Sequence, residues 1–376
     1  MISENVSISR WTIAWTFIAL LLFALFLHRA WFIPETDYVA YYNAGQRALA
    51  GSNLYLPDPT PFKYLPVVSY FFVPLALLPF HFSKVAFFVL SFALGLAVYL
   101  RVHRQIGNWG TLMVLAAMLR FHNYDFLNSQ VNHVLLFTLI LYLNWRRTHP
   151  VRATFIFSLL ASFKVLPLLI IGPLFFMKRY RESILLVAWF SALSLVPILT
   201  FQDGIHTYLN WFQLMRDTTE FPAPSGAILQ SIQGALWYWI GPLLPHTNYF
   251  SAISYLIQFL LLGTCCLYAT RSTGSSEDDQ RIIMASMVVS VVISPLAWKH
   301  NFLLILPAFV ILLESRQYRA VGTAFFLITL WAGVVGIFSK HWVDRSYTTL
   351  LGALVLLFAL LSVFKTRTRQ LHSRWH

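Results

Sequence analysis

Charge is scarce in this chain, and acidic charge is scarcer still. Only 11% of its 376 residues are Asp, Glu, Lys or Arg, against roughly 25% in a soluble domain, which excludes an ordinary water-soluble globular fold. Carboxylates number 14 against 27 Lys and Arg, so a carboxylate beside an apolar run is conspicuous. Cysteine is nearly absent. Cys265 and Cys266 are neighbours inside an apolar run, where adjacent thiols rarely pair and two alone make no zinc site. The first apolar stretch, Trp11 to Leu27, is followed by no clear small-x-small cleavage site, and Arg29 and Trp31 beyond it suit interfacial anchors. It therefore reads as a retained span and not as a signal peptide. No internal repeat relates the two halves, and no cluster of ligands calls for a metal or another cofactor.

What the chain has in abundance is apolar and aromatic residues. It is 58% hydrophobic, with 33 Phe, 17 Tyr and 13 Trp, and long apolar runs recur from end to end. This is the pattern of an all-α polytopic membrane protein facing lipid, with aromatic belts at its interfaces. The net charge of +13 gathers in short loops between apolar runs, which is a topology signal and excludes a nucleic-acid partner. About twelve spans are expected in one domain, residues 1–376. The first four are Trp11–Leu27, Val85–Leu100, Gly110–Leu119 and Val131–Asn144, with a polar turn over 121–130. The run Ala153–Met177 has basic clusters at both ends, Arg146, Arg147 and Arg152 before it and Lys178, Arg179 and Arg181 after it. Two cytoplasmic ends require an even number of crossings, so the run is split near Lys164 into two short spans. Ile184–Leu199, Tyr249–Ala269, Ile282–Trp298, Phe302–Leu313, Val321–Phe338 and Tyr347–Phe364 complete the set. The positive-inside bias puts both termini in the cytoplasm of a cell membrane, with long outer loops at 28–82 and 200–248.

The first outer loop holds the most informative stretch. Tyr38, Tyr41, Tyr42, Gly45, Ala48 and Leu49 recur at three- and four-residue steps and predict an amphipathic helix. Thr36 suits its N-cap, Asp37 its first turn and Gly51 the position just past its end. At about 14 residues it is too short to cross a bilayer and should lie along the surface. That places Asp37 at the membrane rim, as a helix cap or as a reactive carboxylate. The apolar segment from Pro66 to Pro79 is likewise read as interfacial. On this topology Asp37, Asp58, Lys63, His122, Asp125, Gln130, Asn132, Lys164, Arg216, Gln230, Lys299 and His300 gather on the outer side. An apolar cavity with one carboxylate and several cations suits a substrate combining a hydrocarbon tail, a phosphate and a sugar. Lys164, in mid-run, should have an anionic partner.

Asp37-Tyr38-x-x-Tyr41-Tyr42-x-Ala44-Gly45, Leu49-x-Gly51, Tyr55, Phe62-x-Tyr64-x-Pro66 and Pro74-Leu75-x-x-Leu78-Pro79 resemble the opening of glycosyltransferase family 87. The likeness continues in Gln130-Val131-Asn132, in Lys164-x-x-Pro167 and in Ser294-Pro295-x-x-Trp298-x-His300. Three positions depart from the family pattern: Leu229 before Gln230-Ser231, Lys299, and Asn301 where a second His is common. The resemblance implies a GT-C membrane enzyme, a polyprenyl-phosphate-mannose-dependent mannosyltransferase acting on the outer face. Its partners would be a lipid-linked sugar donor, a glycan or glycolipid acceptor, and membrane lipids. By the same resemblance Asp37 is the general base of an inverting transfer. Tyr41, Tyr42, Tyr64, Gln130, Asn132, Lys164, Gln230, Lys299 and His300 bind substrate, with Lys164, Lys299 or His300 neutralising the departing phosphate. The alternative from another class is a twelve-span secondary transporter. Repeated halves would favour it, and the concentration of polar groups in two loops on one side argues against it.

Overall fold

The computed structural model describes residues 10–32, 37–56, 58–219, 230–243, 247–330 and 347–372. The described residues are helical, with no strand among them. Helix α1 (Arg10–Phe32), α4 (Phe80–Leu127), α8 (Tyr180–Thr200) and α11 (Thr247–Ala269) are each long and apolar enough to cross a membrane. The other apolar helices, including α5 (Asn132–Trp145), α6 (Pro150–Phe163) and α7 (Ile171–Phe176), are shorter. Length and composition thus support a helical membrane protein, with four full-length helices among the described residues where twelve spans were expected. The second half of the expected span Val321–Phe338 lies outside the described residues.

A straight helix of 48 residues would be about 72 Å long, more than twice the hydrocarbon thickness of a bilayer. α4 avoids this by bending back at Gly107, whose φ of 68 and ψ of −172 no helix accommodates. Its two limbs then lie side by side: Phe88 meets Phe126 with ring centroids 5.5 Å apart. α1 runs along both. Near its start Trp15 Nε1 donates to Asn108 at the bend (2.9 Å), and near its end Phe26 packs on Phe126 (4.7 Å). The second limb continues to Leu127, seven residues into the stretch expected to be a polar turn. His122 and Asp125 are buried there and hydrogen-bonded between helices, so polarity marked an inward face and not a chain reversal.

The surface helix forms as α2 (Tyr38–Leu49), burying Tyr38, Ala40, Tyr41, Ala44 and Gly45 and leaving Leu49 exposed. Thr36 lies outside the described residues, and Asp37 takes the N-cap position without any side-chain capping bond. At the other end Gly51 adopts φ 64. Gly51 N donates to Ala48 O and Ser52 N to Arg47 O, a Schellman closure that glycine adopts without strain. α2 lies on α3 (Ser69–Ala76), which follows a 3-10 turn at Pro66–Val68. These 11 residues rise about 17 Å, too short to cross a bilayer. Gly45 is the point of closest approach, since a Cβ there would sit 2.6 Å from the Phe72 carbonyl oxygen. Gly45→Ala is therefore expected to lower stability by about 1–3 kcal/mol, because a backbone carbonyl cannot step aside. A thermal melt of the detergent-solubilised variant checks this, and an unchanged melting temperature would contradict it.

The ends of α5, α6 and α8 sort into two poles. At one pole Arg146, buried just past α5, donates to both oxygens of Glu182 in α8 (2.9 and 2.7 Å) and to Asp279 (3.0 Å) in α12 (Ser276–Val292). Arg147 and Arg179 each donate to the same Asp279 oxygen at 2.8 Å. The basic clusters flanking 150–177 therefore converge, so that run leaves this pole and returns to it. The chain breaks at Lys164, which ends α6 in an extended conformation (φ −139, ψ 107). At the opposite pole, about 21 Å along α5, lie Asn132 and Lys164. Both long loops reach this pole. In the second, α9 (His206–Thr219) and α10 (Ile232–Ile240) are helical. Trp211 Nε1 donates to the Lys63 carbonyl (3.1 Å), and Gln230 N to the Ala297 carbonyl (2.9 Å).

Candidate active site

Gln130-Val131-Asn132 forms the hub of this pole. The turn leading into it is a second Schellman closure, with Ser129 N on Phe126 O and Gln130 N on Asp125 O. Here the left-handed position is held by Ser129 at φ 50, an unfavourable conformation for a side-chain-bearing residue and one that tends to mark functional sites. The turn aims Gln130 and Asn132 in opposite directions. Gln130 Nε2 donates to Asp37 Oδ2. The Gln130 carbonyl oxygen accepts from Tyr41 Oη at 3.0 Å and Tyr64 Oη at 3.4 Å. A carboxylate only accepts, so the two phenols on Oε1 fix the amide with its N–H toward Asp37. Among the described residues Asp37 Oδ1 accepts no hydrogen bond.

Asp37 is half-buried, and its pKa is raised. Burial is the main cause, opposed by the positive charge of Lys63 and by the Gln130 hydrogen bond. The depression expected from a helix N-terminus is outweighed by desolvation, which disfavours the ionised form. Asp58 is engaged elsewhere, in an ion pair with Arg47 at 2.7 Å.

Asn132 faces the other way. Its Nδ2 donates to Asp125 Oδ1 at 2.6 Å, and its Oδ1 accepts from Lys164 Nζ at 2.8 Å. Lys164 Nζ also donates to Asn301 Oδ1, and Asn301 Nδ2 is held by the Leu296 carbonyl (2.8 Å). The anionic partner expected of Lys164 is thus Asp125 at one remove, with an amide between the two charges. Asn301, which departs from the family pattern, supplies the second amide oxygen.

The remaining expected residues are placed as follows. Lys299 is buried and lies over the Tyr124 ring at 5.1 Å, a cation–π contact. His300 is buried, stacked parallel to Trp298 with centroids 6.3 Å apart, and close enough to Lys164 for their charges to repel. Gln230 is buried beside Ala297. Tyr42 alone turns away: its hydroxyl donates to the Leu78 carbonyl (2.9 Å) and its ring packs edge-on to Phe80 (5.3 Å). Among the described residues no group of three His, Cys, Asp or Glu could hold a metal ion.

The model of glycosyltransferase family 87 matches residues 62–295, more than half of the chain. This chain belongs to glycosyltransferase family 87. No curated protein and no solved structure matches it. As a family 87 member it is a membrane glycosyltransferase, which displaces the transporter alternative. The matched stretch holds Tyr64, Gln130, Asn132, Lys164 and Gln230, while Asp37 and the Lys299–His300 pair lie beyond its two ends. In this family 87 glycosyltransferase, hydrogen bonds from Gln130 and Lys164 join those outlying segments to the matched core. His133 and Tyr99 also belong to this pole and were passed over in the sequence. The one available signal was a histidine directly after Gln130-Val131-Asn132 at the start of an apolar helix.

Proposed function

We propose that this glycosyltransferase moves a sugar, most simply mannose, from a polyprenyl phosphate to an acceptor hydroxyl with inversion at the anomeric carbon. Asp37 takes the proton from the acceptor hydroxyl while its oxygen attacks the anomeric carbon. The carbon–oxygen bond to phosphate breaks with its electron pair on the departing polyprenyl phosphate. Lys164 neutralises that charge, with Lys299 and His300 beside it. Tyr41 and Tyr64 act through Gln130, which holds the Asp37 carboxylate in place. A single observation carries this reading: Gln130 and Asn132, two residues apart, reach a half-buried carboxylate on one side and a half-buried ammonium on the other. An inverting displacement needs such a base and such a cation at the two ends of one reacting centre.

Incubating membranes that contain the protein with labelled polyprenyl-phosphate mannose, or the glucose analogue, is expected to give labelled lipid or glycan. Absence of transfer from every polyprenyl-phosphate sugar would reject the reading. The site is proposed to face the outer side, with both termini cytoplasmic. In a variant lacking Cys265 and Cys266, Ser52→Cys is expected to react with an impermeant thiol reagent in intact cells, and Ser276→Cys only after permeabilisation. The reverse pattern would place the site in the cytoplasm.

A further inference from the structure

A buried chain of titratable side chains begins where Asn132 ends. Asp125 Oδ2 lies 2.5 Å from His133 Nδ1. His133 Nε2 lies 2.8 Å from His122 Nδ1, and His122 Nε2 lies 2.7 Å from Tyr99 Oη. Asp125, His122 and His133 are all buried. The His133 ring is stacked on Phe126 with centroids 4.2 Å apart and meets His122 edge to edge. It also faces Gly95, where a Cβ would come within 2.9 Å of His133 Cδ2, so the ring has no room to turn.

With both imidazoles neutral, one arrangement of hydrogens satisfies every contact. The carboxylate can only accept, so His133 donates from Nδ1 and is left with Nε2 as acceptor. His122 must then donate from Nδ1 and accept on Nε2 from the Tyr99 hydroxyl. The other carboxylate oxygen takes the Asn132 N–H, which turns the Asn132 oxygen toward Lys164. All donors in the chain therefore point at one carboxylate, whose charge lies one amide away from the Lys164 ammonium.

We propose that Asp125, held by His133, His122 and Tyr99, is a positioning residue that orients Asn132 and keeps Lys164 charged to receive the departing phosphate. This rests on the phosphate role of Lys164 proposed above. The groups facing Lys164 are Asp125 from α4 and His300 from the 299–305 segment, together with the amides of Asn132 from α5 and Asn301. Of these groups Asp125 supplies the negative charge that supports the Lys164 ammonium.

The test measures kcat/KM against pH, with the polyprenyl-phosphate sugar that supports transfer, for the wild type, Lys164→Met, Asp125→Asn, Tyr99→Phe and the Lys164→Met/Asp125→Asn pair. Lys164→Met is expected to lose about 30-fold, the typical effect of removing a charge-assisted contact. In Asp125→Asn the acid limb stays in place, and the alkaline limb moves to lower pH by about one unit, roughly tenfold in proton concentration. Tyr99→Phe moves the same limb in the same direction by less. Asp125→Asn adds under about 2-fold in the Lys164→Met background, because residues acting through one group are not additive. A fully active Lys164→Met would overturn the phosphate role and this inference with it. An inactive Lys164→Met with an unmoved alkaline limb in Asp125→Asn would overturn this inference alone. If Asp125→Asn does not accumulate in membranes, an unmoved limb in Tyr99→Phe is the overturning result.

Discussion

Asp37→Asn is expected to lower turnover by about 10²–10⁴-fold, the usual worth of general-base catalysis. The substitution isolates basicity well. Asn has the size of Asp and can face the Gln130 amide, and Asp37 makes no capping bond to α2 that could be lost. The protein should accumulate and melt normally while transfer fails. Purified Asp37→Asn turning over at the wild-type rate would leave Asp37 no catalytic part. The pH dependence follows from the raised pKa of Asp37, caused chiefly by burial. A base must be ionised, so activity should fall as pH drops through that raised pKa, above the ordinary aspartate value of about 3.9. The stability term has the opposite sign. The folded state holds this proton more tightly than the unfolded state, so between the two pKa values Asp37 favours folding more as pH falls. An acid limb that persists in Asp37→Asn would assign the titration to another group.

The second large effect is expected at the opposite pole. Arg146→Met removes the guanidinium shared by Glu182 and Asp279 and leaves Tyr142 on Glu182 at 2.6 Å. Breaking a buried ion pair from one side typically costs about 3–5 kcal/mol, a large share of a total stability of about 5–15 kcal/mol. Arg147 also reaches Asp279, but its side chain is 39% exposed. Arg147→Gln should therefore cost under about 1 kcal/mol. Membrane yield and melting temperature of the two variants should differ sharply. Equal losses would mean that burial does not decide the worth of these pairs. The comparison also bears on topology, because this cluster brings together both ends of the 150–177 run.

Much of the molecule was legible in the sequence because lipid imposes simple rules. Scarce charge and recurrent apolar runs require helices, since no other open structure satisfies its backbone in hydrocarbon. The basic clusters around 150–177 required a return to the same side, and the break fell at Lys164. The periodicity of Tyr38, Tyr41 and Gly45 with Gly51 beyond determined α2 and its closure, because capping and amphipathicity are local. The family blocks singled out Gln130, Asn132 and Lys164 by residue type. Which atoms meet was decided only by the tertiary structure. The sequence could not say that Gln130 faces Asp37, that an amide separates Asp125 from Lys164, or that Tyr42 turns away to Leu78. It also misread 121–127 as a turn, because a polar residue in an apolar chain marks either an end or an inward face. Only packing against the other limb of α4 distinguishes the two, and that contact exists because Gly107 bends the chain back on itself.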